Sequence, residues 1–274
     1  MFDIMAVFFN SFKSLKLPER AAAISFNFLM SIPPSLIFLF SLVPFLPLGS
    51  VQETIIDSIR IISPNMKFFD TASGFVLDFM NTKRGDLLSV GVLASLYFSS
   101  NGIMGLLRSF DRESPALIER SSWSRRVKAI RLTLMITLLF LVSISLLIVQ
   151  SSIFNLLIDS WFFNSTIIRF LSWLTIVAII HVIFSIIYKF GPSVDYKFGF
   201  FNVGATLATI FFLLVTYIFF YITANFLEYN KIYGSLGTLM MMMVWMFMIG
   251  MVILIGYEIN LSIATYQINR EEKE

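Results

Sequence analysis

The chain has 274 residues, 57% of them hydrophobic and only 14% charged, with a net charge of +3 and a mean hydropathy of +0.83. So little polar surface cannot cover a soluble domain of this size, which makes the class integral membrane protein. The lack of cysteine excludes disulfides, thiolate metal sites and a cysteine nucleophile, and no Walker loop, GxGxxG, HExxH or GxSxG sequence occurs.

A membrane span must satisfy its own backbone hydrogen bonds, which leaves helices or a closed barrel. Apolar runs of about twenty residues without strict alternation select helices, and six can be laid out. In residues 1–20, Met5, Phe8, Phe9, Phe12 and Leu15 share a face with Lys13 and Lys16 off it, predicting a cytoplasmic interfacial helix. The first span is expected over 21–48, with Pro33-Pro34 breaking or kinking it. It is too long for a signal sequence and has no small-x-small cleavage site, so it is expected to stay in the mature chain.

Residues 49–85 read as an external amphipathic helical hairpin. Val51, Ile55, Ile59 and Ile62 line one helical face, Ser63-Pro64 reads as an N-cap and first turn, and Phe69, Ala72, Phe75, Val76 and Phe79 line the next. The second span, 86–107, carries Gly91, Ser95 and Ser99 every four residues, with Asn101 and Gly105 repeating the spacing. Such stripes of small residues let helices approach closely. Residues 108–131 form a basic cytoplasmic connection with seven basic and three acidic residues plus Trp123. A segment of that kind attracts anionic lipid headgroups. It lacks the aromatic-interleaved basic face of a nucleic-acid site, so no nucleic-acid partner is expected.

The remaining spans are expected at 132–154, 169–190, 199–226 and 235–257, with Gly204 and Ala208 repeating the small-residue device in the fifth. Of the Lys and Arg residues, 14 fall on the side of the two termini and 6 on the other. By the positive-inside rule both termini are therefore expected in the cytoplasm. No inverted 3+3 repeat is apparent.

Several stretches resemble the YihY / virulence factor BrkB family of bacterial inner-membrane proteins, and together they cover essentially the whole chain. They are RAAAISFNFLMSIPPSLIFLFSLVPF, YFSSNGIMGLLRSFDRES, GPSVDYKFGFFNVGA and, most distinctive, YITANFLEYNKIYGSLGTLMMMMVWMFMIGMVILIGYEIN. In the last, Tyr221, Asn225, Tyr229, Tyr233-Gly234-Ser235-Leu236-Gly237, Trp245 and Gly256-x-Glu258-x-Asn260 fit the family pattern. Asp111 departs from it, standing where the family more often has asparagine. The resemblance implies six spanning helices and the bacterial inner membrane, and it implies no agreed molecular activity. A ribonuclease label attached to the family finds no support in the residues. Phosphodiester hydrolysis needs clustered carboxylates with metals or a histidine pair, and the chain has one histidine.

The candidate residues carry competing readings. From Leu236 to Tyr257 the sixth helix offers about 33 Å of apolar length, which sets Glu258 near the cytoplasmic interface. Its leading reading is a structural ion pair with a basic residue such as Arg20 or Arg108; the other is coupling to ions or protons. Asn27, Asn101, Glu258 and Asn260 form a candidate polar path near the cytoplasmic side. His181, nearly mid-span, reads foremost as a neutral imidazole bonded to a serine or threonine of a neighbouring helix, and otherwise as an intramembrane ionisable site. Tyr229, Tyr233, Gly234 and Gly237 open the sixth helix at the outer face, either as belt anchors or as free backbone donors for an anion. The methionines at 240–243, 246, 248 and 251 circle their helix, as packing residues do rather than a soft-metal path.

The expectation is therefore an all-α polytopic bundle of six transmembrane helices in a single domain, 1–274, with no cofactor, no metal site and no enzymatic activity. The leading function is a permease or exporter-like protein for a small solute or ion. The alternative is a non-transporting envelope scaffold or assembly factor. The expected partners are the bilayer and its anionic lipids, with a homo-oligomer or membrane-protein partner left open.

Overall fold

In the computed structural model, the residues described are 16–42, 85–111, 121–159, 165–194, 198–226 and 235–271. Six helices account for nearly all of them: α1 Leu17–Leu42, α2 Gly85–Phe110, α3 Ser122–Asp159, α4 Ser165–Phe190, α5 Val203–Phe226 and α6 Ser235–Glu271. Each contains a stretch long and apolar enough to cross a membrane. The expected interfacial helix before residue 16 and the hairpin at 49–84 lie outside the described residues.

The six expected spans are all present, but three boundaries differ in an informative way. Helix α1 is continuous through Pro33 and Pro34 rather than broken at them. The residue after Pro34 adds a back-bond to the same turn, Ser35 Oγ donating to Ser31 O at 2.7 Å. Helix α3 starts at Ser122, ten residues before the expected span, so Arg125, Arg126, Lys128 and Arg131 lie on its first turns rather than in a loop. Arginine and lysine are good helix formers, and no Gly or Pro stands between Ser122 and the apolar run. Ser121 caps this start, accepting from Ser124 N at 3.3 Å. Helix α6 likewise runs fourteen residues past Tyr257, because YEINLSIATYQINRE contains no helix breaker and continues to bury Leu261 and Ala264.

Two compact units divide the chain, one of residues 1–30 and 101–274, the other of 31–100. In the smaller unit Ser95 and Ser99 are buried, and Ser99 Oγ meets Ser35 Oγ of α1 at 2.7 Å. The stripe therefore makes a helix contact through Ser99, with Ser95 buried one turn away and bonded to Val92 O of its own helix. Gly91 is not part of it, since a Cβ added there would meet nothing within 4 Å. Leu93 is exposed, as a lipid-facing position should be.

The larger unit holds the apolar core. Ile24, Leu106, Phe110, Ala129, Leu132, Tyr188, Leu254 and Tyr257 are essentially inaccessible and belong to one cluster contributed by α1, α2, α3, α4 and α6. Its aromatic centre packs Phe110 against Tyr257, the rings tilted by 31° with centroids 4.3 Å apart. Tyr188 Oη donates to Ile253 O at 2.9 Å, so the buried phenol is satisfied across the α4–α6 contact. The closest approach is between α5 and α6. A Cβ on Gly204 would clash with the backbone oxygen of Gly256, and one on Gly256 would come within 2.8 Å of Gly204 O. Ala208, fully buried, lies 3.1 Å from the same point on Gly256. The small-residue pair expected in the fifth span is thus the place where two backbones touch.

Candidate functional site

Among the described residues, the starts of α1 and α5 place polar groups against α6, while the start of α3 does the same against the ends of α2 and α4. At the centre is Glu258, whose residue is only 2% exposed although it is a carboxylate on an apolar helix. Arg20, in the first turn of α1, donates from Nη1 to Glu258 Oε1 at 2.8 Å. The same guanidinium donates from Nε to Ser109 O at 2.8 Å and from Nη2 to the same carbonyl. Ser109 is the penultimate residue of α2, where helix carbonyls have no intrahelical partner. One planar fork thus neutralises a buried carboxylate and caps a helix C-terminus, a double task that suits arginine. Of the two partners expected for Glu258, Arg20 is the one that binds it; Arg108 is exposed.

Two residues further along α6, Asn260 faces a different neighbour. Its Oδ1 accepts from Gly204 N at 2.8 Å and its Nδ2 donates to Asn202 Oδ1 at 2.7 Å. Asn202 Oδ1 also accepts from Ala205 N at 2.8 Å, the N-cap bond of α5. Asn260 therefore reads the orphan donors at the start of α5, and it can reach them because Gly204 has no side chain.

The other two members of the expected polar path are engaged separately. Asn101 Oδ1 accepts from Arg126 Nη1 at 2.9 Å. Asn27 donates to Ala23 O at 2.7 Å and packs on α2 where Gly105 leaves room, its Cβ 2.5 Å from the position a Cβ on Gly105 would take. Glu258 and Asn260 lie about 200° apart around their helix, so their hydrogen bonds lead in different directions. The structure thus brings Glu258 together with Arg20, and Asn260 together with Gly204. It gives Asn27 and Asn101 partners of their own.

Further contacts that the sequence reading did not single out complete this end. Lys128 Nζ donates to Gly191 O at 3.0 Å and Pro192 O at 2.9 Å, holding the carbonyls that follow α4. Arg125 pairs with Asp111 at 2.8 Å. A sequence signal existed for Asn202, which directly precedes the Val203-Gly204-Ala205 helix start. None marked the Ser109 carbonyl, because a backbone acceptor has no residue signature.

His181 lies on α4 with Nδ1 3.4 Å from Thr209 Oγ1 on α5 and its ring stacked on Phe201 at 5.6 Å between centroids. Of the expected outer helix-start group, Tyr229, Tyr233 and Gly234 lie outside the described residues. Gly237 is buried and lines a cavity of about 610 Å³ with Phe219, Thr223, Met240 and Met248.

This arrangement puts to use the residues that carried the family resemblance: Arg20 of RAAA, Gly204 of FNVGA, and Gly256, Glu258 and Asn260 of GYEIN. The family model for virulence factor BrkB matches residues 8–274. The chain belongs to that family. Among its relatives, the ribonuclease-like protein YfkH of Bacillus subtilis is 28% identical over 248 residues, 88% of each chain. The UPF0761 membrane protein NTHI0384 of Haemophilus influenzae is 23% identical over 258 residues, 92% of each. A UPF0761 membrane protein of Tolumonas auensis is 33% identical over 85 residues, 31% of this chain and 28% of its own length. No solved structure matches. This virulence factor BrkB family member is a multi-pass integral membrane protein whose described residues include six helices long and apolar enough to span the bilayer.

Proposed function

We propose that the protein is a permease of the bacterial inner membrane that moves a small solute or ion, with both termini in the cytoplasm. The Arg20, Glu258 and Ser109 cluster is its closing contact at the cytoplasmic end. One observation carries this reading: a carboxylate almost without solvent exposure joins three helices through a single arginine. Ionisable groups in spanning segments are costly, and they mark transport paths more than they add stability. A buried ion pair adds little net stability over apolar packing, yet it fixes register and can be exchanged for another partner, as a gate requires. The 14-to-6 distribution of basic residues supports placing this end in the cytoplasm. Exposed Trp123 and Arg131 on the first turns of α3 suit contact with anionic headgroups.

A second reading, a non-transporting envelope scaffold or assembly factor, is favoured by Asn101 and Asn260. Both are taken up in fixed structural bonds rather than left to a path. The ribonuclease-like wording belongs to the Bacillus relative and is not carried to this chain, whose lone histidine sits between two helices rather than beside a second catalytic base.

Liposomes containing the purified full chain, assayed for proton, cation and anion flux, test the proposal. The unmodified protein is expected to carry at least one flux. Glu258→Gln is expected to abolish it while the variant still inserts and melts cooperatively. Unchanged flux per folded molecule in Glu258→Gln would remove Glu258 from the mechanism. The absence of any flux in the unmodified protein would leave the scaffold reading.

A further inference from the structure

We infer that one water molecule is bound inside the α4–α5 contact, accepting from Ser185 Oγ and donating to His181 Nε2. The assignment follows from proton bookkeeping on four groups. Thr209 has one hydroxyl hydrogen, and it is donated to Ala205 O at 2.8 Å. In the 3.4 Å contact between Thr209 Oγ1 and His181 Nδ1, the ring must therefore be the donor. A neutral imidazole that carries its proton on Nδ1 presents a lone pair at Nε2.

That Nε2 is buried and has no hydrogen-bond partner among the described residues. The same is true of Ser185 Oγ, on a residue with no solvent exposure. Many helical hydroxyls among the described residues return to a carbonyl three or four residues back, as Thr133 does to Ala129, Ser109 to Gly105 and Ser95 to Val92. Ser185 does not, so its hydroxyl hydrogen is available. Ser185 and His181 are four residues apart on α4 and so share a face, with Cβ atoms about 6 Å apart. A single water that accepts from the one and donates to the other satisfies both buried groups at once.

The alternative of a dry site leaves two buried polar groups unsatisfied, each with its full desolvation penalty. A cation does not fit in place of water. Neither α4 nor α5 carries a carboxylate, the basic residues of α4 stand at 169 and 189, and α5 has no charged residue at all. The occupant is therefore a neutral molecule able both to accept and to donate. With it in place the relay closes: Ser185 to water, water to Nε2, Nδ1 to Thr209, Thr209 to Ala205 O. This site stands independently of whether the chain moves a solute.

His181 is the chain's single histidine, so full-length protein labelled with 15N-histidine in lipid bilayers gives a one-residue spectrum. Solid-state NMR is expected to show a protonated Nδ1, a bare Nε2, and magnetisation transfer from water to Nε2. A proton on Nε2, or a bare Nε2 without water transfer, overturns the inference. Ser185→Ala is expected to abolish the water transfer while keeping the Nδ1–H form, and retention of the transfer would refute the shared water. Thr209→Val is expected to move the proton to Nε2. The spectrum of the unmodified protein decides the question by itself if either variant fails to fold.

Discussion

Replacing Arg20 with methionine is expected to cost more stability than replacing Glu258 with methionine, although the two side chains share one ion pair. Removing one partner of a buried pair typically costs about 3–5 kcal/mol, because the other charge stays in a poorly solvating site. The structure makes the two removals unequal. Glu258→Met leaves Arg20 with two donors on Ser109 O and a side chain that is 14% exposed, so the lower end of that range, about 3 kcal/mol, is expected. Arg20→Met takes the cation from a carboxylate side chain only 3% exposed and also uncaps α2, so the upper end, about 5 kcal/mol, is expected. The double variant has no charge left to strand and fills the site with apolar volume. It is expected to be more stable than Arg20→Met alone, which requires a coupling energy larger than the roughly 3 kcal/mol lost in Glu258→Met. Equilibrium unfolding by detergent titration in mixed micelles, checked by melting temperature, measures all three. Additive effects, or a larger loss for Glu258→Met than for Arg20→Met, would refute the account of one guanidinium serving two acceptors.

Gly204→Ala is expected to destabilise by about 2–4 kcal/mol, combining overpacking against a backbone oxygen with loss of the Asn260 bond; a variant melting within about 1 °C of the parent would place the α5–α6 contact elsewhere. Ser95→Leu is expected to lower the melting temperature in detergent, and Leu93→Phe to leave it nearly unchanged, since only Ser95 is buried. Equal effects would remove the serine contact. Cysteine at Asp70 is expected to react with an impermeant thiol reagent in intact cells and cysteine at exposed Ser122 to stay protected; the reverse labelling would invert the proposed orientation.

The helices were legible because hydrophobic length is a one-dimensional property: each apolar run of about twenty residues appears as a helix. Their ends were less so. Hydropathy stops at Arg131 and Tyr257, whereas the backbone stops only where hydrogen bonding or a breaker demands it. Helices α3 and α6 therefore continue through residues that read as connection. Glu258 stands out as a charge after an apolar run, and Arg20 is an expected partner because it too borders an apolar run. What the sequence left hidden was the third participant, the carbonyl of Ser109. The threonine beside His181 was expected as a type of neighbour, but its identity required the packing of α4 on α5. The small-residue stripes were readable as close contacts. Which member faces a neighbour was not, since Gly91 and Gly105 look alike in sequence and only Gly105 has a side chain against it.

Helix α6 is 37 residues long, about 55 Å, against a hydrocarbon layer of about 30 Å. No glycine or proline interrupts it after Gly256. Asn260, Glu258 and the final turns up to Glu271 are therefore fixed to one stiff rod, with no joint between the buried contacts and the end of the helix. Such a rod transmits torque. Tilting or twisting the last turns by even a few degrees moves Glu258 against Arg20 and Asn260 against the α5 start in the same stroke, which couples the C-terminal end of α6 to two helix junctions at once.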